Sequence, residues 1–146
     1  MFSLERVPGL HFRMTHYFND MTRTQIIIAG IGGYLPTNRL SNHDLPASLG
    51  TSDEWIVERT GISYRHIADK HEYTSDLAAK ALQNALNDAN LSATDLDGII
   101  IATTTPDLVL PSTAAIVQQK IGASNCMALD INAVCSGFIY AFVMAS

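Results

Sequence analysis

The chain alternates between two hydrophobic rhythms. Short β-branched runs closed by small residues mark buried strands: TQIIIAG from Thr24 to Gly30, GIIIA from Gly98 to Ala102, and the stretch from Cys126 to Ile131. Between them the spacing changes to that of a helix. Leu77, Ala78, Ala81, Leu82, Ala85, Leu86 and Ala89 form one apolar stripe and predict a helix from Thr74 to Asn90, with Thr74 or Ser75 as its cap. A second helix is expected from Ser112 to Ile121, stopped by Gly122. A shorter one is expected from Ser52 to Thr60, where Thr51 and Glu54 have the spacing of a capping box and Gly61 supplies the stop. Ile62 to Ile67 reads as a strand, and Asn42 to Leu49 as a short helix weakened by Pro46. Gly30, Gly32, Gly33 and Pro36 read as a tight turn; they lack the spacing of a dinucleotide fingerprint. The order of strands and helices argues for an α/β domain with a largely parallel sheet.

Two stretches break the pattern. Residues 1–20 show no clear periodicity, and Met21 stands just before the first convincing strand, so 1–20 is expected to be an N-terminal extension and 21–146 the domain. At the other end, SGFIYAFVMAS from Ser136 to Ser146 is apolar around its whole circumference, as expected of a helix covered on all sides. The chain stops inside this helix without a cap, which reads as the first part of a larger α/β protein.

Composition narrows the function. With 47% hydrophobic and 16% charged residues, a packed core is expected rather than disorder. A formal net charge of −5 without a basic run argues against nucleic acid or an anionic membrane as partner. No segment approaches the ~20 apolar residues of a membrane span. Two cysteines, Cys126 and Cys135, make no disulfide framework and fit a reducing, cytoplasmic setting. None of the five histidines pairs with cysteine at metal-ligand spacing, so no metal is expected.

Cys135 carries the strongest chemical signal. It falls between a strand and a helix start, among Ala133, Val134, Ser136 and Gly137. Unpaired amides and the positive end of a helix dipole stabilise thiolate, and the same amides can bind an oxyanion. Cysteine suits thioester exchange, so acyl transfer is the chemistry to expect. The competing reading is a buried structural cysteine. Cys126, inside a strand, reads as structural.

Three stretches resemble one family. GTSDEWIVERTGISYRHIA (Gly50 to Ala68), IIIATTTPDLVLPSTA (Ile99 to Ala114) and DINAVCSGFIYA (Asp130 to Ala141) look like β-ketoacyl-acyl-carrier-protein synthase III. The first is specific to synthase III and its close relatives; the cysteine-centred one alone is only thiolase-like. The resemblance runs from about Thr24 to the last residue and covers the N-terminal half of the family's chain. It implies an αβαβα layered thiolase-like fold with a mostly parallel mixed sheet. It implies an acyltransferase that loads Cys135 from an acyl-CoA such as acetyl-CoA, then condenses the acyl group with malonyl-acyl-carrier protein and releases CO₂, starting fatty-acid synthesis as a homodimer. Acyl-CoA is a substrate, and no resident cofactor is implied.

Residue by residue, the resemblance makes Trp55 the tryptophan that stacks on the CoA adenine, Arg59 the arginine on the other side of that base, and Thr51 a threonine at the same nucleotide site. An indole face and a guanidinium plane can sandwich a purine; read without the family, Trp55 is a core anchor and Arg59 a surface charge. Leu110 matches a position that reaches across the dimer and limits the partner's acyl pocket, where many short-chain members carry an aromatic residue. Read alone, it is a hydrophobic residue before Pro111. The family's catalytic histidine and asparagine lie in its second half and match nothing here. This chain alone is therefore expected to lack condensation activity. The alternative is a non-catalytic interaction module that pairs with a full-length subunit or a separately encoded second half.

Overall fold

The computed structural model describes residues 27–146. The expected extension at 1–20, and residues 24–26 of the first expected strand, lie outside these. From Ile27 to Pro36 the chain joins no ladder, and Ile27 is 77% exposed, so the buried strand expected over Thr24 to Gly30 is not formed by its described part. Just past that run, backbone groups bond to a helix. The Ile31 amide donates to the Asp88 carboxylate at 2.9 Å, and the Gly33 carbonyl accepts from Asn84 Nδ2 at 2.9 Å. Both partners belong to helix α2 (Thr74–Ala89).

The glycines permit this contact rather than a turn. A Cβ on Gly30 would fall 2.6 Å from the Ala85 carbonyl oxygen, and one on Gly32 would collide with the Ala85 amide and the Ala81 carbonyl. None of Gly30, Gly32 and Gly33 adopts a positive φ. Tyr34 extends the contact. Its hydroxyl donates to Glu72 Oε1 and accepts from Lys80 Nζ, each at 2.9 Å.

The next unit is a small antiparallel ribbon. Strand β1 (Asn38–Ser41) pairs with β2 (Tyr64–Ile67), Asn38 opposite Ile67 and Ser41 opposite Tyr64. Polar, short β1 gives no alternation to detect, and the sequence pattern misses it. Between the strands, Asn42–Asp44 and Ala47–Leu49 form two 3₁₀ turns split at Leu45 and Pro46, in place of one short helix. Helix α1 (Asp53–Thr60) follows and ends at Gly61, whose φ of 70° suits glycine. Its cap is Ser52, whose Oγ accepts from the Trp55 amide at 3.2 Å; the capping role expected of Thr51 moves one residue along. Buried Asn42 anchors the start of α1, donating to Asp53 Oδ1 at 2.8 Å and to the Ile62 carbonyl at 2.7 Å while accepting from Arg65 at 2.6 Å.

Helix α2 carries the expected apolar stripe, but Thr74 and Ser75 do not cap it with their own side chains. Asp76 accepts from the Tyr73 amide at 3.0 Å, and Asp107, from a loop 32 residues away, accepts from the Ser75 amide at 2.8 Å. A long-range cap of this kind carries no local sequence signature.

The second sheet holds the core. Strand β3 (Gly98–Ala102) and β4 (Met127–Ile131) are parallel, with Gly98 opposite Met127 and Ala102 opposite Ile131. Parallel neighbours need a crossover, and helix α3 (Thr113–Ile121) provides it. Ser112 caps α3 by accepting from the Ala115 amide, and Gly122 closes it at a φ of 76°. Strand parity sorts the side chains. Ile99, Ile101 and Ala128 face α3 and join Ala114, Val117 and Ala123 in the core, against Ala78 and Leu82 of α2. Gly98, Ile100, Ala102 and Met127 face the other way, towards helix α4 (Gly137–Met144). The α/β class and the parallel pairing thus agree with the sequence reading.

Candidate active site

Cys135 lies where both parallel strands end. Ligands of open α/β sheets gather at the carboxyl ends of their strands, and three local features place the thiol there. The Asp130 carboxylate, near the end of β4, accepts from the Thr113 amide at 2.6 Å and the Ala114 amide at 2.8 Å, locking β4 to the start of α3. Val134 then takes a φ of 47°, a backbone region that β-branched residues avoid and that clusters at functional sites. Gly137 completes the arrangement: a Cβ there would stand 3.1 Å from Cβ of Ala102, a tight contact that glycine avoids where α4 begins against β3. The sequence offered a faint signal for only one of the last two. Gly137 is a glycine inside an otherwise bulky apolar run, while nothing in the residue type marks Val134.

The resulting thiol is exposed. It lines an open cleft of about 830 Å³ whose walls include Ile100, Met127, Phe138, Ala141 and Phe142. Cys135 sits in a 3₁₀ turn, Val134–Ser136, that runs directly into α4. Two of the leading amides expected to receive an oxyanion are already used. The Ser136 amide donates to the Ala133 carbonyl at 3.0 Å, and the Gly137 amide donates to the Val134 carbonyl.

Cys126 lies one residue before the strand that the sequence reading put it in. It is half-buried before β4, and Gln118 Nε2 donates to its carbonyl at 2.6 Å.

The other candidate residues stand on different elements. Trp55 is 52% exposed on α1, and the Arg59 guanidinium carbon lies 4.4 Å from its ring centroid. The two side chains meet as expected of residues four apart on a helix, but directly, with no slot between them. Thr51 is exposed just before the α1 cap. Beside it, the Glu54 carboxyl is held below its usual range, mainly by its own backbone amide and then by the Ser52 hydroxyl. Thr51, Trp55 and Arg59 do not line the cleft that holds Cys135. Leu110 is 84% exposed in the loop between β3 and α3, next to fully exposed Val109, and Asp107 ties that loop to α2.

Among the described residues no group of three or more His, Cys, Asp or Glu side chains could hold a metal ion. His66 Nδ1 lies 2.5 Å from the Pro36 carbonyl, and His43 Nε2 lies 3.8 Å from Asp53. No described helix is long and apolar enough to cross a membrane.

Several curated relatives carry one name. The β-ketoacyl-[acyl-carrier-protein] synthase III of Neisseria gonorrhoeae is 58% identical over 120 residues, covering 82% of this chain and 38% of its own. The protein of that name from Thiobacillus denitrificans is 56% identical over 126 residues, covering 86% of this chain and 39% of its own. Among solved structures, 3-oxoacyl-[acyl-carrier-protein] synthase III of Aquifex aeolicus superposes with a TM-score of 0.74 at 50% identity, over 81% of this chain and 38% of that one. No protein-family model matches the chain. The chain thus spans somewhat over a third of the length of the relatives it matches. Within that stretch it has their thiolase-like fold, and over most of its own length it is similar to β-ketoacyl-acyl-carrier-protein synthase III.

Proposed function

We propose that this chain supplies the nucleophile half of a synthase III. Cys135 attacks the carbonyl carbon of an acyl-CoA, a new carbon–sulfur bond forms, the bond to the CoA sulfur breaks, and CoA leaves as the thiol with the proton Cys135 gave up. Malonyl-acyl-carrier protein then loses CO₂, and its carbanion attacks the Cys135 thioester. That attack expels the cysteine sulfur and forms a β-ketoacyl-carrier protein. Residues 21–146 act as the N-terminal thiolase-like domain and 1–20 as an extension. Condensation belongs to the complete cytoplasmic homodimer, with no resident cofactor, and this chain alone does not turn over. Thr51, Trp55 and Arg59 form the nucleotide end of the acyl-CoA site. Leu110 shapes the acyl pocket; a smaller wall than an aromatic one admits extra methylenes, each worth ~0.8 kcal/mol when buried.

The observation that carries this reading is the exposed Cys135 thiol in an apolar cleft at the strand ends, beside the strained Val134 backbone. Apolar walls suit an acyl chain, and an exposed sulfur suits attack on a thioester. Incubation with acetyl-CoA followed by peptide mass spectrometry tests it. Acetylation at Cys135, lost in Cys135→Ser, is the expected result. Acetylation at Cys126 overturns the assignment.

A second reading is favoured by α4. Phe138 is 74% exposed, and Ile139, Tyr140, Val143 and Met144 are exposed with it, an apolar surface that suits protein contact. On this reading the chain is a non-catalytic module that pairs with a full-length subunit or a separately encoded second half. Co-purification discriminates: a partner that restores condensation supports split catalysis, and an inert partner supports the module.

A further inference from the structure

We propose that Asp107 is a positioning residue for acyl-chain selection: its carboxylate, gripped by Ser75 at the start of α2, fixes the loop that carries Leu110 and so sets where that side chain stands. This rests on the reading of Leu110 as a wall of the acyl pocket, and it assigns control of the wall to a residue outside it. The loop joins β3 to α3, and its apolar tip has no support of its own. Leu108 is 55% exposed, Leu110 is 84% exposed and Val109 is fully exposed. The backbone of none of the three bonds to another described backbone group.

The flanks of the tip are pinned instead. After it, the Asp130 carboxylate accepts from the Thr113 and Ala114 amides. Before it, the Thr103 amide donates to the Ile131 carbonyl at 3.1 Å, and Thr74 Oγ1 donates to the Thr105 carbonyl at 2.6 Å. Asp107 is the last pinned residue: Oδ1 accepts from the Ser75 amide at 2.8 Å and Oδ2 from Ser75 Oγ at 2.5 Å. Lys120, on α3, makes this grip directional. Its ammonium donates to Ser75 Oγ at 2.6 Å and to Asp76 Oδ1 at 2.5 Å. An ammonium can only donate, and a serine hydroxyl has a single proton, so the Ser75 proton is committed to Asp107. Ser75 is fully buried, and water does not compete for its two donors. The first turn of α2 already has a local carboxylate, since Asp76 accepts from the Tyr73 amide at 3.0 Å. What the distant carboxylate adds is a fixed separation between α2 and Leu110, three residues further along the loop.

A competition tests this. Equal concentrations of acetyl-CoA and hexanoyl-CoA are offered to the chain in one tube, and the ratio of hexanoyl to acetyl adduct on Cys135 is read by peptide mass spectrometry at low conversion. Both adducts form on the same folded molecules, so a variant that merely destabilises the fold lowers both and leaves the ratio alone. Asp107→Ala removes both bonds to Ser75 and should raise the ratio about four- to fifteenfold, the worth of one or two further buried methylenes. Asp107→Asn keeps an acceptor for the Ser75 amide; it should move the ratio the same way by less, and it carries the test if the alanine variant does not fold. Leu110→Ala should raise the ratio directly, and adding Asp107→Asn to it should change nothing more, because Asp107 acts through Leu110. An unshifted ratio in the folded Asp107 variants, beside a shifted one in Leu110→Ala, overturns the proposal and leaves the pocket reading standing. So does a double variant whose shift is the product of the two single shifts. A ratio that Leu110→Ala does not move, or no adduct at Cys135 from either thioester, removes the pocket reading, and the proposal with it.

Discussion

Substituting Gly32 by alanine tests whether the glycines after Gly30 serve close packing or a turn. The added methyl would meet the Ala85 amide, the Ala81 carbonyl oxygen and the carbonyl carbon of Asn84. All three are backbone atoms inside α2, so no side chain can swing aside. Overpacking of this kind costs about 1–3 kcal/mol. Displacement of the segment also breaks the Ile31–Asp88 and Gly33–Asn84 hydrogen bonds, each worth about 0.5–1.5 kcal/mol. Against this stands the lower entropy of the unfolded chain, about 0.4–1 kcal/mol in favour of alanine. The steric and hydrogen-bond terms win, and the net loss is about 2–4 kcal/mol, limited by the energy with which residues 27–36 dock. If docking is the weaker quantity, the segment lifts off before the rest unfolds. Two measurements are therefore needed: a urea melt for global stability, and hydrogen exchange at the Ile31 amide for docking. Gly33 supplies the control, because a Cβ there meets nothing within 4 Å and its φ is not positive. Gly33→Ala should stay within about 0.5–1 kcal/mol of the parent. The packing argument fails if Gly32→Ala matches Gly33→Ala in both the melt and the Ile31 exchange rate.

Gly137→Ala should leave stability nearly unchanged, since up to ~1 kcal/mol of helix propensity offsets the tight contact with Ala102. It should nevertheless slow acetylation of Cys135 roughly tenfold by shifting the first turn of α4; an unchanged rate by mass spectrometry would show that this contact does not set the thiol's position. Lys120 first, and then the Tyr73 amide, hold the Asp76 carboxyl below the usual aspartate value of 3.8. A depressed folded value means stability that is fully present above pH 3.8 and lost as pH falls through the folded one. Asp76→Asn should therefore flatten the acid limb of a stability–pH curve, and equal slopes for the two proteins would refute the linkage. The exposed face of α4 should bind a fluorescent dye for apolar surface, and Phe138→Glu should reduce that binding; a parent chain that stays dark would contradict the exposure of this face.

Elements with a strong period were legible in the sequence. The α2 stripe, the GIIIA strand and the glycine stop of α3 appear where the residues place them, because each carries its own apolar period or stop residue. What the sequence concealed depends on distant partners. The run at Ile27 to Ala29 has the composition of a strand, yet it joins no ladder and stays exposed, because a strand exists only where another strand lies beside it. Strand β1 has no apolar alternation and exists through its pairing with β2. The α2 cap comes from Asp107, far along the chain. At the site, the position of Cys135 between strand and helix could be read from residue order, while the Val134 backbone could not. Trp55 and Arg59 could be placed four apart on one helix, and that spacing already implied contact between them.

Strand parity links the core to the cleft. Because successive side chains of β3 point to opposite faces, Ile99 and Ile101 complete the core against α3, while Ile100 and Ala102 become the floor beneath α4. A one-residue slip of β3 would exchange these roles, placing Ile100 and either Gly98 or Ala102 where the core holds two isoleucines. The register that stabilises the domain is therefore the register that builds the cleft. Ala102 ends this face and meets Gly137, so the smallest pair of residues lies where strand and helix approach each other most closely. An alanine at position 137 would tighten this contact, and the first turn of α4, with Cys135 just before it, is what would have to give. The thiol's place is set by what is missing from the neighbouring side chains, which is why a search for polar catalytic groups around Cys135 overlooks the residues that position it.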